Sequence, residues 1–113
     1  PGHKEIIYHR AFLVELRNTN LSWESEKCIP VMYKDIQVGN IISDIIINNI
    51  LVLEFKAVAK DLSILEIRQT KKYMECADIK YGLLVNFWNN SLVHVDELCL
   101  NDDTIVQHKI ILI

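Results

Sequence analysis

The stretch Gly39-Asn40-Ile41-Ile42-Ser43-Asp44-Ile45-Ile46-Ile47-Asn48-Asn49-Ile50-Leu51-Val52-Leu53-Glu54-Phe55-Lys56-Ala57 decides the fold. It reads as two apolar strands joined by a turn at Asn48-Asn49. Three charged residues, Asp44, Glu54 and Lys56, interrupt the apolar run. A charge in a strand headed for the interior costs free energy unless it is paired or binds something. Alternate strand residues share a face, so Glu54 and Lys56 point the same way. Asp44 comes from the strand that pairs beside them. Two carboxylates suit a divalent cation, and the amine stands next to it.

Register decides whether the three can meet. A two-residue turn at Asn48-Asn49 places Asp44 opposite Leu53, on the other face from Glu54. A three-residue loop, Ile47-Asn48-Asn49, pairs Asp44 with Val52 and restores a common face. Asn49 then takes the left-handed conformation, which Asn tolerates. A working site therefore predicts that loop, or a bulge near Asp44.

At 113 residues the chain is expected to be one domain, 1–113, large enough for a core without staples. Half its residues are hydrophobic and 24% are charged, which excludes a disordered chain. The net charge of −3 gives no overall hint of nucleic-acid binding. A nucleic-acid enzyme of this composition needs a local basic patch and a metal to meet phosphate. No apolar run is long enough to span a bilayer and no secretory signal is visible, so the expectations are no membrane partner and a cytoplasmic location. Cys28, Cys76 and Cys99 are odd in number and lack a C-x-x-C spacing, which argues against a disulfide framework or a zinc site. The chain opens on Pro1-Gly2 without Met, as a trimmed chain or a fragment would.

Residues His3 to Arg17 have helical periodicity. Tyr8, Phe12 and Glu15 share a face with Glu5, and Ile7, Ala11 and Val14 widen the apolar side. A first-turn Glu favoured by the helix dipole is the ordinary account of Glu5. Leu21 to Tyr33 reads as extended, with Pro30 marking an edge or bend. Lys34-Asp35 is a tight turn, and Ile36 to Val38 leads through Gly39-Asn40 into the central pair. After Lys56, Val58 to Lys60 is a short link, and Asp61 or Ser63 caps a helix running to about Cys76. Tyr81 to Phe87 is a strongly apolar strand, Trp88 to Ser91 a turn, and Leu92 to Leu100 another strand. Asn101 to Asp103 breaks the chain. Thr104 to Ile113 is expected as a last strand, and its Lys-Ile-Ile-Leu-Ile segment would be adhesive if left uncovered. This order implies an α/β fold with a mixed β-sheet flanked by helices.

Phosphodiester hydrolysis needs a positioned water, neutralised phosphate charge and help for the leaving oxygen. Two carboxylates about 4 Å apart repel by about 4 kcal/mol at an effective dielectric near 20, and a divalent ion reverses that sign. Lys56, as a cation, would orient the attacking oxygen and steady phosphate charge. The ordinary account is a Glu54–Lys56 or Asp44–Lys56 ion pair at a strand end. Gln69 and Tyr73 form Gln-x-x-x-Tyr, one turn apart on the following helix. There a Gln can hold water or phosphate and a Tyr can anchor the helix. Arg68, Lys71 and Lys72 make that helix locally basic, as either a phosphate-facing helix or a solvated face would be. His3, His9, His94 and His108 make no ligand spacing, and Trp23 and Trp88 read as partial core residues at strand ends.

The chain resembles the GxxExxY proteins of the PD-(D/E)xK nuclease superfamily. The resemblance rests on Gly2-x-x-Glu5-x-x-Tyr8 with Ala11 and Glu15-Leu16, then Val31-x-Tyr33-Lys34, Asp44, Leu53-Glu54-Phe55-Lys56-Ala57, Gln69-x-x-x-Tyr73 and Gly82 to Phe87. It covers Gly2 to Phe87 and implies a restriction-endonuclease-like core. It also implies Glu5 beside Asp44 and Glu54 at a Mg²⁺ (or Mn²⁺) site, Lys56 in catalysis, and Gln69 lining the site. Tyr73, Arg68 and Lys72 are expected to help hold a nucleic acid, DNA in the first instance. Members of that family usually carry another helix before the Pro-Gly, so here it is expected to be missing; Ser43 stands where a larger or basic residue is common, and the tail after Leu100 is not matched by the family's motifs.

Three readings compete: a Mg²⁺-dependent nuclease, a non-catalytic interaction module of the same fold, and a small α/β structural domain with incidental ion pairs. Self-association as a homodimer or within a larger complex fits all three. Asp44 and Glu54 on opposite faces of the sheet would remove the first two.

Overall fold

In the computed structural model, residues 2–89 and 92–111 are described, with side chains from Glu5 onward. The apolar run 45–55 forms the centre of a six-stranded sheet of order β1-β2-β3-β4-β5-β6. The elements follow as α1 (Gly2–Leu16), β1 (Trp23–Tyr33), β2 (Ile36–Ile47), β3 (Leu51–Lys56), α2 (Ile64–Ala77), β4 (Tyr81–Asn89), β5 (Leu92–Cys99) and β6 (Asp102–Ile111). Only β3 and β4 are parallel, because α2 is the crossover between them; every other neighbouring pair is antiparallel. This is the α/β architecture with a mixed sheet expected from the order of patterns.

The sheet is covered on both faces, which explains why 45–47 and 50–53 read as unbroken apolar runs rather than alternations. On one face Ile45, Ile47, Leu53, Phe55, Val85 and Val93 pack with Leu16 and Phe12 of α1. On the other, Ile46, Val52, Leu84 and Leu98 pack with Ile67 and Met74 of α2. A Cβ placed on Gly82 would lie 2.6 Å from Met74 Sδ, so the bare glycine lets α2 sit close to β4.

Local chemistry sets the helix ends. Ser63 is the N-cap of α2, and Ser63 and Glu66 form a capping box. Asp78 closes the helix in the left-handed conformation, and Ile79 N–H donates to Met74 O at 2.9 Å. Lys34 and Asp35 both take positive φ, which makes the tight β1–β2 turn.

Some expectations need correction. On α1, Ile7, Ala11, Val14 and Glu15 are exposed, while Tyr8, Phe12, Leu13 and Leu16 face the sheet. A single helix laid on one sheet buries one stripe, and Tyr8 stacked on Phe87 at 4.1 Å fixes which stripe. Gly39-Asn40 is no lead-in: β2 runs straight through it, and the irregularity falls between Val31 and Met32. The break before the last strand is shorter than expected, since β6 starts at Asp102. Asn90, Ser91, Leu112 and Ile113, like Pro1, lie outside the described residues. The three cysteines are free, and no described helix is long and apolar enough to cross a membrane.

Candidate active site

The site forms where β2 and β3 part. Their ladder runs from Ile47↔Leu51 to Ile45↔Leu53 and stops. One step further the same register sets Asp44 against Glu54. Their side chains then replace the ladder bonds: Phe55 N–H donates to Asp44 Oδ2 at 2.9 Å, and Asp44 N–H donates to Glu54 Oε1 at 3.2 Å. Ser43 Oγ–H also donates to Glu54 Oε1, at 3.0 Å, the second bond that this oxygen accepts. Each carboxylate is thus held by the backbone of the opposite strand.

The connecting loop has three residues, as a common face requires, but it lies one residue later than expected. Asn48, Asn49 and Ile50 form it, Ile47 stays paired with Leu51, and Asp44 faces Glu54 rather than Val52. Both asparagines take positive φ. Asn48 also anchors the loop to Ser22, its N–H donating to Ser22 O while its Oδ1 accepts from Ser22 N–H. That second attachment favours the later placement.

Glu54 is only 6% exposed. Burial, then the charge of Asp44 and a hydrogen bond with it, push the Glu54 carboxyl up to about 9. The bonds from Ser43 and the Asp44 N–H pull the other way and are outweighed. At neutral pH the pair therefore holds a proton.

A pocket of about 100 Å³ opens on this pair, lined by Glu5, Ile42, Asp44, Glu54, Phe55, Lys56, Gln69, Thr70 and Tyr73. It brings together six of the residues singled out in the sequence: Glu5, Asp44, Glu54, Lys56, Gln69 and Tyr73. Lys56 forms no salt bridge with a described residue, so the ion-pair account of Glu54-x-Lys56 does not hold. Gln69 Nε2–H donates to Tyr73 Oη at 3.1 Å. Burial, then the charges of Glu54 and Asp44, raise the Tyr73 hydroxyl above its ordinary value, so that hydroxyl lies within the field of the carboxylates.

Other expected residues stand apart. Arg68 and Lys72 are exposed on α2 and do not line the pocket. Lys71 turns away, donating to Asp102 O at 3.0 Å. Glu5 lines the pocket, yet among the described residues no three carboxylate, histidine or cysteine groups gather as a cation cluster. A larger cavity of about 410 Å³ lies under the end of α2, and Lys27, Cys28, Ile29, Pro30, Cys76 and Asp78 are among the residues that line it; it contains none of the residues singled out as the Asp44, Glu54 and Lys56 site.

Two supporting residues were missed by the functional reading. Ser43 is fully buried and steadies Glu54. Asn86, also fully buried, accepts from Val58 N–H and donates to Val58 O and Lys60 O, tying down the link that follows Lys56. A lone polar residue in an apolar strand was the available signal for each.

The donor set fits a hard divalent cation. It is all oxygen, and it is unfavourable without a positive charge beside it. One oxygen of each carboxylate is fixed to the protein; apart from the shared proton, Asp44 Oδ1 and Glu54 Oε2 accept from no described donor.

A family model described as PD-(D/E)XK nuclease superfamily matches residues 1–98. The mixed sheet between two helices agrees with the restriction-endonuclease-like core of that superfamily. No curated protein and no solved structure matches the chain.

Proposed function

The chain belongs to the PD-(D/E)XK nuclease superfamily, and from that premise we propose that it is a Mg²⁺-dependent nuclease hydrolysing phosphodiester bonds of DNA. The carrying observation is the buried Asp44–Glu54 pair, driven to hold a proton, with Lys56, which forms no salt bridge with a described residue, on the wall of the same pocket. Among superfamily members the motif set from Glu5 to Gln69 supports the GxxExxY type.

In this reading Asp44 and Glu54 would hold Mg²⁺, with Mn²⁺ as a substitute, and Glu5 would add a third carboxylate to the wall of the pocket. The cation supplies charge neutralisation on the phosphate and lowers the pKa of the attacking water. The Lys56 amine pairs with a phosphate oxygen and orients the nucleophile, a role left open by the absence of a salt bridge to any described residue. Gln69, held by Tyr73, offers its amide to the phosphate or to that water. Arg68 and Lys72 lie outside the pocket and serve the flanking backbone by charge alone.

A non-catalytic interaction module of the same fold is the second reading. It is favoured by one observation, that Glu5, Asp44 and Glu54 do not gather as a three-donor cluster. Binding and cleavage assays on single- and double-stranded DNA and RNA in Mg²⁺ or Mn²⁺, with and without chelator, separate the two. The nuclease reading expects chelator-sensitive cleavage that Asp44→Asn, Glu54→Gln and Lys56→Met each reduce by at least about a hundredfold. Binding without cleavage in either cation would establish the module instead.

A further inference from the structure

The two edges of the sheet are unlike. At one edge β1 carries Glu24, Glu26 and Lys27, has Glu26 in the left-handed conformation, and contains Pro30, which has no N–H to offer. These features block pairing with another strand. At the other edge β6 has no proline, no positive φ and no charged residue from Thr104 to Gln107. Nine of its ten residues are exposed, and only Ile105 is partly buried in the core. Nothing in the described residues covers its outer side. The family match ends at residue 98, so β6 lies outside it.

Charge along β6 selects an occupant. Asp102 and Asp103 stand at its start and Lys109 near its end. A nucleic-acid strand has no use for an edge that begins with two carboxylates. A second β6 laid antiparallel does. A two-fold axis normal to the sheet requires one residue to face its own copy. With Val106 on the axis, Asp103 of each chain faces Lys109 of the other, twice by symmetry. Ile105 then faces Gln107, and Thr104 faces His108. Val106, 47% exposed in the single chain, meets its own copy at the centre. Cross-strand pairs of this kind, apolar at the middle and of opposite charge at both ends, are those that stabilise a sheet.

We propose that β6 is a homodimer interface, pairing antiparallel with β6 of a second copy in the register centred on Val106. The six-stranded sheets join into one, and the open edge disappears. The inference is independent of the nuclease reading, since β6 lies three strands from β3.

Sedimentation equilibrium over a wide concentration range measures the state of the full chain, whose single copy weighs 13.2 kDa. A concentration-dependent shift to twice that mass is expected. Lys109→Glu sets like charges opposite each other twice and weakens the dimer about tenfold. Asp103→Lys combined with Lys109→Glu restores it, although the Lys71–Asp103 contact at 3.6 Å is lost. Register is read by disulfide trapping. Directly opposed residues have Cα atoms about 4.5–5.5 Å apart, within disulfide reach, so Val106→Cys crosslinks efficiently under mild oxidation. Thr104→Cys, displaced from its own copy by about 13 Å, does not. A monomer at every concentration overturns the proposal. So does a dimer that ignores the charge reversals and crosslinks no better through Val106→Cys than through Thr104→Cys. Unchanged circular dichroism of each variant excludes misfolding as the cause.

Discussion

Loading a divalent cation onto Asp44 and Glu54 must expel the proton that the pair holds. The Glu54 carboxyl is pushed up to about 9, chiefly by burial and then by Asp44. At pH 7 roughly one molecule in a hundred has Glu54 ionised. Displacing that proton weakens the apparent affinity about a hundredfold, close to 3 kcal/mol, compared with the fully ionised site. The association constant should therefore rise about tenfold per pH unit from 7 to 9 and level off above. Stability of the cation-free protein runs the other way. Glu54 sits above its ordinary value of 4.5, so its contribution is complete below that pH and is lost as pH rises through about 9. Calorimetric titration with Mn²⁺ at pH 7, in two buffers of different ionisation enthalpy, counts the protons. Close to one proton released per cation is expected in the wild type, and no binding in Glu54→Gln. Binding with no proton release and no pH dependence would refute the reasoning, because it would mean that Glu54 is already ionised.

Lys56→Met should leave unfolding free energy within about 0.5 kcal/mol of wild type, since no described ion pair is lost. It should abolish most cleavage without abolishing cation binding, as urea denaturation, activity and calorimetry together would show. Asn86→Ala strips Val58 and Lys60 of three hydrogen bonds and should cost about 2–4 kcal/mol; hydrogen exchange should rise first at Val58. Gly82→Ala drives a methyl into Met74 Sδ and should destabilise by about 1–3 kcal/mol, with Met74→Ala partly relieving the loss in a double-mutant cycle.

The central strands were legible because burial on both faces leaves little room for anything but apolar residues, so Asp44, Glu54 and Lys56 stood out. The α2 start was legible to within two residues, since Asp61 and Ser63 were both candidate caps, and the capping box that Ser63 makes with Glu66 decides for Ser63. Register was read correctly in parity and wrongly in position. The decisive attachment, Asn48 to Ser22, joins residues 26 positions apart, and no local pattern records it. The inward stripe of α1 was misread because α1 has apolar residues on several sides and only one sheet face to meet. Tyr8 against Phe87 makes the choice, and that contact is visible only in three dimensions. Arg68 and Lys72 looked equally suited to phosphate, but helical phase turns them away from the pocket that Gln69 and Tyr73 reach. Ser43 was noted as a departure from a family pattern. Its use, a buried hydroxyl donating to Glu54, follows from the parting of β2 and β3.

The proposed nuclease activity requires that Asp44 and Glu54 hold a cation. An anomalous difference map from a crystal soaked in Mn²⁺ at pH 8 answers this directly. The account predicts a strong peak about 2.0–2.3 Å from an oxygen of each carboxylate, on the side where Glu5, Lys56 and Gln69 line the pocket. An empty pocket with Mn²⁺ bound elsewhere, or no bound Mn²⁺ at all, would contradict it.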